Sequence, residues 1–233
     1  MIKWNKQFEY PTSVRSLINN QRHYAVNDRK LPSVTTILQA TQSEEKKQSL
    51  ERWKQKVGDQ AAENIKNVAA NRGSILHRII EGYLMDQRHA DLSDLGQQAG
   101  TMAQIVIDEE IKPNISEIWG IEATLYHEGI GYAGATDFIG IHEGKAAICD
   151  WKQSNKPKRK EWIHDYGLQL AAYSLAFQDM FNETIHKGVN AIITADNYYQ
   201  RFVWEGEEFK QLKYEWMRKV EQYYNNLDKN QEK

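Results

Sequence analysis

From Trp119 onward, apolar and small or polar residues alternate with a period of two through "WGIEATLYHE", "GYAGATDFIGIH" and "KAAICDWK". This is the signature of strands with one face against a core, and the Gly-containing segments between them predict hairpin turns. Apolar runs near 187–195 and 200–205 predict two more strands. Elsewhere the period is helical. Val34, Ile37 and Leu38 follow Ser33, a potential N-cap; Leu76, Ile79, Ile80, Tyr83 and Leu84 form a broad apolar stripe; another helix runs from about Gln97 and stops before Pro113. Further helices are predicted at 161–181 and from 206 to about 227. Residues 44–70 are rich in helix formers but carry only Trp53, Val57, Ile65 and Val68 as scattered apolar positions, so they predict exposed helices that form an arch or lid. Asn27-Asp28 predicts the turn of a short hairpin over 22–35, with Pro32 confining its second arm to an edge. The element order predicts one α/β domain over 1–233 with a central mixed sheet flanked by helices. Residues 22–118 would supply the hairpin and helical region, 119–205 the main sheet and a helix, and 206–233 the closing helix.

Charges interrupt this pattern where they are most costly. A two-residue turn at Glu143-Gly144 sets Asp137 opposite Asp150, and a turn centred on Gly129-Ile130 sets Glu122 opposite the same Asp137. Three carboxylates then lie in a row across adjacent strands, with Lys152 on the same face as Asp150. Directly opposed like charges repel, so the row calls for a cation or for partial protonation. A lone D-x-K is most simply a buried ion pair, but the agreement of two hairpin registers favours a site. Oxygen donors without thiolates suit a hard divalent ion such as Mg²⁺ or Mn²⁺. Such an ion lowers the pKa of a bound water and neutralises phosphoryl oxygens, and a nearby lysine adds positive charge, which is the chemistry of phosphodiester hydrolysis.

Composition narrows the classes further. Of the 233 residues, 40% are hydrophobic and 27% charged, as in ordinary globular proteins, and no apolar run is long enough for a membrane span. The single cysteine, Cys149, excludes an internal disulfide and any Cys-ligated cluster supplied by this chain alone. The first residues show neither a secretory nor a transit pattern, so a cytoplasmic setting is expected. The net charge of −2 does not announce nucleic-acid binding. Local charge does: Lys152, Lys156, Lys158, Arg159 and Lys160 fall within nine residues that hold no acid, enough to hold a phosphate backbone. A solvated loop is the alternative. Trp53, Trp162 and Tyr166 are candidates for stacking on unpaired bases.

"RGSILH" with His77, "GATD" with Asp137, "CDWK" with Asp150 and Lys152, and "GLQLAAY" with Gln169 and Tyr173 together resemble the PD-(D/E)xK nuclease superfamily in its RecB-type branch. With "RHYAVNDRKLPSVTTILQAT", the set resembles the mitochondrial genome maintenance exonucleases and their phage and bacterial relatives over about residues 22–175. Thr136 stands where the superfamily's name has proline, and the cysteines of the cluster-bearing relatives are missing. The resemblance implies a restriction-endonuclease-like core and metal ligation by His77, Asp137 and Asp150, with Glu122 a further member. Lys152 would serve the attacking water, Gln169 and Tyr173 would position substrate, and Ser33, Thr35 and Thr36 would meet phosphate at a helix start, where they could equally be caps. The expected activity is a Mg²⁺- or Mn²⁺-dependent DNA exonuclease preferring single strands with a free end, in replication, recombination or repair. The rivals are a structure-specific or nicking endonuclease on the same site and an inactive nucleic-acid-binding module.

Overall fold

A computed structural model describes residues 2–87 and 89–231. The chain opens with β1 (Lys3–Trp4), followed by three short strands, β2 (Val14–Ile18), β3 (Gln21–Val26) and β4 (Arg29–Pro32), which form their own antiparallel sheet. Helices α1 (Val34–Ala40), α2 (Glu44–Val57), α3 (Asp59–Leu84) and α4 (Asp94–Val106) come next. A π-turn at Ile107–Ile111 and a short α5 (Lys112–Asn114) lead into the long strands β5 (Ile115–His127), β6 (Tyr132–His142) and β7 (Lys145–Ser154). After a 3-10 turn come α6 (His164–Phe181), β8 (Lys187–Thr194), β9 (Tyr199–Glu205) and α7 (Gly206–Gln231).

The main sheet has the order β1-β5-β6-β7-β8-β9 and is mixed: β1 runs parallel to β5 and β7 to β8, while the other pairs are antiparallel. Strand alternation sorts its side chains into two cores. Ile139, Ile148 and Ile192 pack with α1, α6 and α7 through residues such as Leu170, Phe177 and Trp216. Phe138, Cys149, Trp151 and Ala191 pack with α3 and α4 through Leu76, Ile80 and Met102. Each fully buried Ile, Leu, Phe or Met side chain among them contributes about 1.5–3 kcal/mol. No helix among the described residues is long and apolar enough to cross a membrane.

The β6–β7 connection is a tight turn in which Glu143 (φ +47°) and Gly144 (φ +73°) both adopt left-handed geometry, as expected for a two-residue hairpin loop. Asn19-Asn20 and Asn27-Asp28 turn in the same way, so the N-terminal hairpin is a three-stranded sheet with β2 as its extra strand. Helix α2 has no buried residue and joins α3 through Gly58, whose φ of +86° breaks the helical path.

Candidate active site

The β6–β7 ladder has the register expected from the turn, pairing Ile139 with Ile148 and Phe138 with Cys149. There it ends. Asp137 and Asp150 sit one residue further on, where the strands splay, so they are not ladder partners. The Asp137 carboxylate occupies the gap and accepts the main-chain N–H of Trp151 at 2.7 Å. On the other side, β5 pairs Ile121 with Phe138 and Ala123 with Thr136, while Glu122 between them is left out of the ladder. Its φ of +48° is an uncommon conformation for glutamate, costing on the order of 1–2 kcal/mol. The distortion lies at the point where the carboxylates gather.

Helix α3 brings His77 to this point. Its Nδ1 lies 3.2 Å from Asp137 Oδ1 and 3.9 Å from Glu122 Oε1. One donor atom from each of His77, Glu122 and Asp137 can be chosen so that all lie within 4.8 Å of one another. A cation with ligands at ~2.0–2.1 Å has neighbouring donors about 3 Å apart and opposite ones about 4 Å apart, so the 3.2 and 3.9 Å separations from His77 leave room for a divalent ion between these donors. The α3 helix is braced from below by buried Arg72, which donates to Gln153 Oε1 at 2.7 and 3.0 Å and to Asn155. Gln153 in turn donates to the Ala69 carbonyl at 2.9 Å.

Asp150 is held differently. Its Oδ1 accepts from Lys152 Nζ at 2.6 Å and its Oδ2 from Asn190 Nδ2 at 3.2 Å. Asn190 lies opposite Asp150 on the parallel neighbour β8, and its Oδ1 accepts from Trp204 Nε1 at 2.8 Å. That bond fixes which way the amide faces. Each Asp150 oxygen retains a lone pair, so the carboxylate can still be shared with a cation.

The electrostatics follow from burial, since only 8% of Asp137 and 2% of Asp150 is exposed. Burial is the largest influence on Asp137 and acts to raise its pKa, but His77, Lys152 and the Trp151 N–H together hold it below the ordinary value. Asp150 is pushed up to about 6, first by burial and then by the Asp137 charge, against the pull of Lys152. Burial opposes charge on Lys152 and His77 as well, yet their carboxylate neighbours prevail: the lysine's pKa is raised and that of His77 rises to about 10. A divalent ion taking the Nδ1 of His77 as a ligand would displace its proton.

These residues lie in a cleft of about 540 Å³, together with Tyr166, Gln169 and Tyr173 of α6 and Ser33 and Thr35 at the start of α1. Gln169 Nε2 donates to Tyr173 Oη at 3.0 Å, and Gly134 leaves room for the Tyr173 ring. Ser33 is the N-cap of α1, accepting the Thr36 N–H at 3.0 Å, and the Thr36 hydroxyl is engaged by the Arg22 carbonyl at 2.8 Å. Tyr166 faces Lys152, whose Nζ lies 5.5 Å from the ring centroid.

Other expected contacts lie outside this cleft. Lys156, Lys158 and Arg159 do not line it. Their segment runs beside β9, where the Lys158 N–H donates to Gln200, Lys160 pairs with Glu208, and Arg159 stacks over exposed Trp162. Trp53 lines a separate hollow between α2 and α3. The cleft also contains Arg15 and Arg22 of the small sheet; Arg22 heads the "RHYAV" stretch, whereas Arg15 lies in no motif. Asn190 was likewise unmarked, although an amide inside the apolar strand "KGVNAIIT" is a visible anomaly.

A mixed sheet that opens at one end onto two aspartates, a glutamate, a histidine and a lysine has the build of a phosphodiester-cleaving enzyme. The profile of the PD-(D/E)XK nuclease superfamily matches residues 37–231, and the chain belongs to that superfamily, whose nucleases use divalent metal ions. It is 34% identical over 149 residues to mitochondrial genome maintenance exonuclease 1 of Mus musculus, covering 61% of this chain and 43% of that protein. To the Homo sapiens protein of the same name it is 29% identical over 170 residues, covering 71% and 49%. The chain thus spans about half the length of the curated relatives it matches. Among solved structures, SSO0001 superposes with a TM-score of 0.44 at 17% identity, covering 82% of this chain and 73% of that one.

Proposed function

We propose that this chain is a divalent-metal-dependent DNA exonuclease that takes single strands with a free end and acts in replication, recombination or repair. The observation that carries the reading is the meeting of His77, Glu122 and Asp137 beside the Asp150–Lys152 pair at the base of one cleft. A bound Mg²⁺ or Mn²⁺ would supply an acidified water and neutralise charge on the phosphoryl oxygens. His77, Asp137 and Glu122 would hold the ion, with Asp150 shared between it and Lys152. The ammonium of Lys152, kept in place by Asp150, would face the reacting phosphate and orient the water. Gln169 and Tyr173, locked to each other, would fix the strand against α6.

The preference for single strands rests on depth. The carboxylates are sunk, and the cleft is walled by α3, α6 and the small sheet, which favours entry of a lone backbone over a duplex. Exposed Trp162 and the half-open Trp53 offer rings to unpaired bases. The two relatives bear the name exonuclease, which favours a requirement for a free end over the endonuclease alternative.

The test is digestion of end-labelled linear single strands, linear duplexes and circular single strands, with Mg²⁺, with Mn²⁺ and with excess chelator. Linear single strands should disappear fastest, circles should persist, and chelator should stop all cleavage. Rapid cutting of circles would transfer the reading to an endonuclease, and full activity in chelator would end the metal assignment.

A further inference from the structure

The small sheet carries positive charge that the metal-centred site does not use. Between Val14 and Pro32 stand Arg15, Arg22, Arg29 and Lys30 against a single acid, Asp28. Arg29 meets Glu128 at 3.7 Å, whereas Arg15 and Arg22 form no ion pair among the described residues. Both are exposed, and both line the cleft that holds Asp137 and Asp150.

Their placement follows from register. Arg15 pairs with Tyr24 and Leu17 with Arg22, so Arg15 and Arg22 are diagonal neighbours on one face. At that spacing the Cβ atoms are about 7–8 Å apart, within reach of two long side chains converging on one group. The same face carries Tyr24, which is buried against Ala133 of β6, so it is turned toward the nuclease core. The Arg22 main chain is pinned as well: its carbonyl accepts from Ser33 N at 2.9 Å and from Thr36 Oγ1 at 2.8 Å. A bridge between Ser33 and Ala133 ties the sheet to the strand that bears Asp137. Two guanidinium groups on one face with no carboxylate between them repel, and an anion relieves that repulsion. Their planar forks match phosphate oxygens.

We propose that Arg15 and Arg22 form a second phosphate subsite, which grips the backbone of a single DNA strand at a nucleotide next to the one being cut. This rests on the nuclease reading above and adds where the strand is held. The scissile phosphate belongs to Lys152 and the carboxylate cluster; the wall formed by the small sheet takes a neighbour, so the arginines govern affinity and register.

The experiment compares the parent with Arg15→Ala/Arg22→Ala and Arg15→Lys/Arg22→Lys, using a short fluorescent single-stranded oligonucleotide in chelator over a range of salt concentrations. The alanine variant should melt with the parent, bind roughly ten-fold more weakly at low salt, and show a log affinity against log salt slope shallower by about 0.7, the value for one phosphate on a single strand. The lysine variant should recover the slope. Replacing single phosphates by neutral methylphosphonates should weaken the parent at one non-scissile position and leave the alanine variant indifferent there. A folded alanine variant with unchanged slope and affinity overturns the subsite while leaving the nuclease reading intact. Sensitivity confined to the scissile position overturns it too. A parent that does not bind the oligonucleotide overturns both.

Discussion

Asp150→Asn preserves the shape of a buried side chain and removes its charge, so it separates the chemistry of the cluster from its contribution to the fold. In the metal-free protein the Asp150 carboxyl titrates near 6, against an ordinary 3.8, chiefly because it is buried and next because Asp137 is close. The sign follows from proton binding. Between about pH 4 and pH 6 the native state keeps a proton that the unfolded chain has released, so stability falls as pH rises through that window and the loss is complete above it. At 1.36 kcal/mol per pH unit the gap is worth up to ~3 kcal/mol. Asparagine never suffers this loss, but Lys152 then forfeits the charge of its 2.6 Å partner and keeps only that of Asp137, which offsets part of the gain. The net expectation is about 1–2 kcal/mol of added stability at pH 7.5, or a rise of roughly 2–8 °C in Tm for a chain of this size. At pH 4 the difference should vanish, because both side chains are then neutral. Thermal melts of parent and variant in chelator at several pH values measure this directly. In the same variant cleavage should drop at least ~100-fold in Mg²⁺, while affinity for single-stranded DNA holds or rises. A Tm lowered by several degrees at pH 7.5 would show that the Asp150–Lys152 pair is holding the fold, and undiminished cleavage would remove Asp150 from the machinery.

Gly134→Ala places a Cβ 2.7 Å from the Tyr173 ring and should cost about 1–3 kcal/mol by overpacking; combination with Tyr173→Ala should relieve most of that loss, and simple additivity in urea melts would contradict the clash. Asn190→Ala leaves the Trp204 N–H without its acceptor and Asp150 without one of its donors, so it should lower stability by about 1–3 kcal/mol and kcat by roughly ten-fold with little change in KM for DNA. A loss confined to KM would show that Asn190 acts on the strand rather than on Asp150. Burial lowers the Lys213 ammonium to about 8. Between that value and its unfolded value near 10.5 the unfolded chain binds the extra proton, so stability should rise with pH across the window. Lys213→Met should abolish that rise and add about 1 kcal/mol at pH 7, the figure being reduced because the group is partly solvated; urea melts at pH 7 and pH 10 would show it.

The acidic row was legible because hairpin geometry is local. The Glu143-Gly144 turn fixes the β6–β7 register by its two positive φ angles, and sequence alone allows that to be counted out to Asp137 and Asp150. What it does not show is that hydrogen bonding stops before them, where the Asp137 carboxylate takes the Trp151 N–H and α3 delivers His77 from another part of the chain. The Asn19-Asn20 pair is a readable turn signal that lies just ahead of the 22–35 hairpin, whereas the two-residue β1 has no periodicity to read and is defined only by its partner β5. Non-local neighbours account for the remaining gaps. Asn190 and Trp204 matter because a parallel strand lands beside Asp150, and Arg15 and Arg22 matter because the small sheet folds over the cleft. The basic run after Lys152 was conspicuous as composition, yet its chain continues past β9 and carries Lys156, Lys158 and Arg159 away from the carboxylates.

Because the β6–β7 ladder closes at Phe138–Cys149, ahead of both aspartates, the pairing of those two strands does not require the groups that would perform the cleavage. Inheritance would feel this as a particular kind of mutation. An allele that loses Asp150 would encode a protein that is folded, abundant and still able to seat a strand, unlike a destabilised allele, whose product is simply cleared.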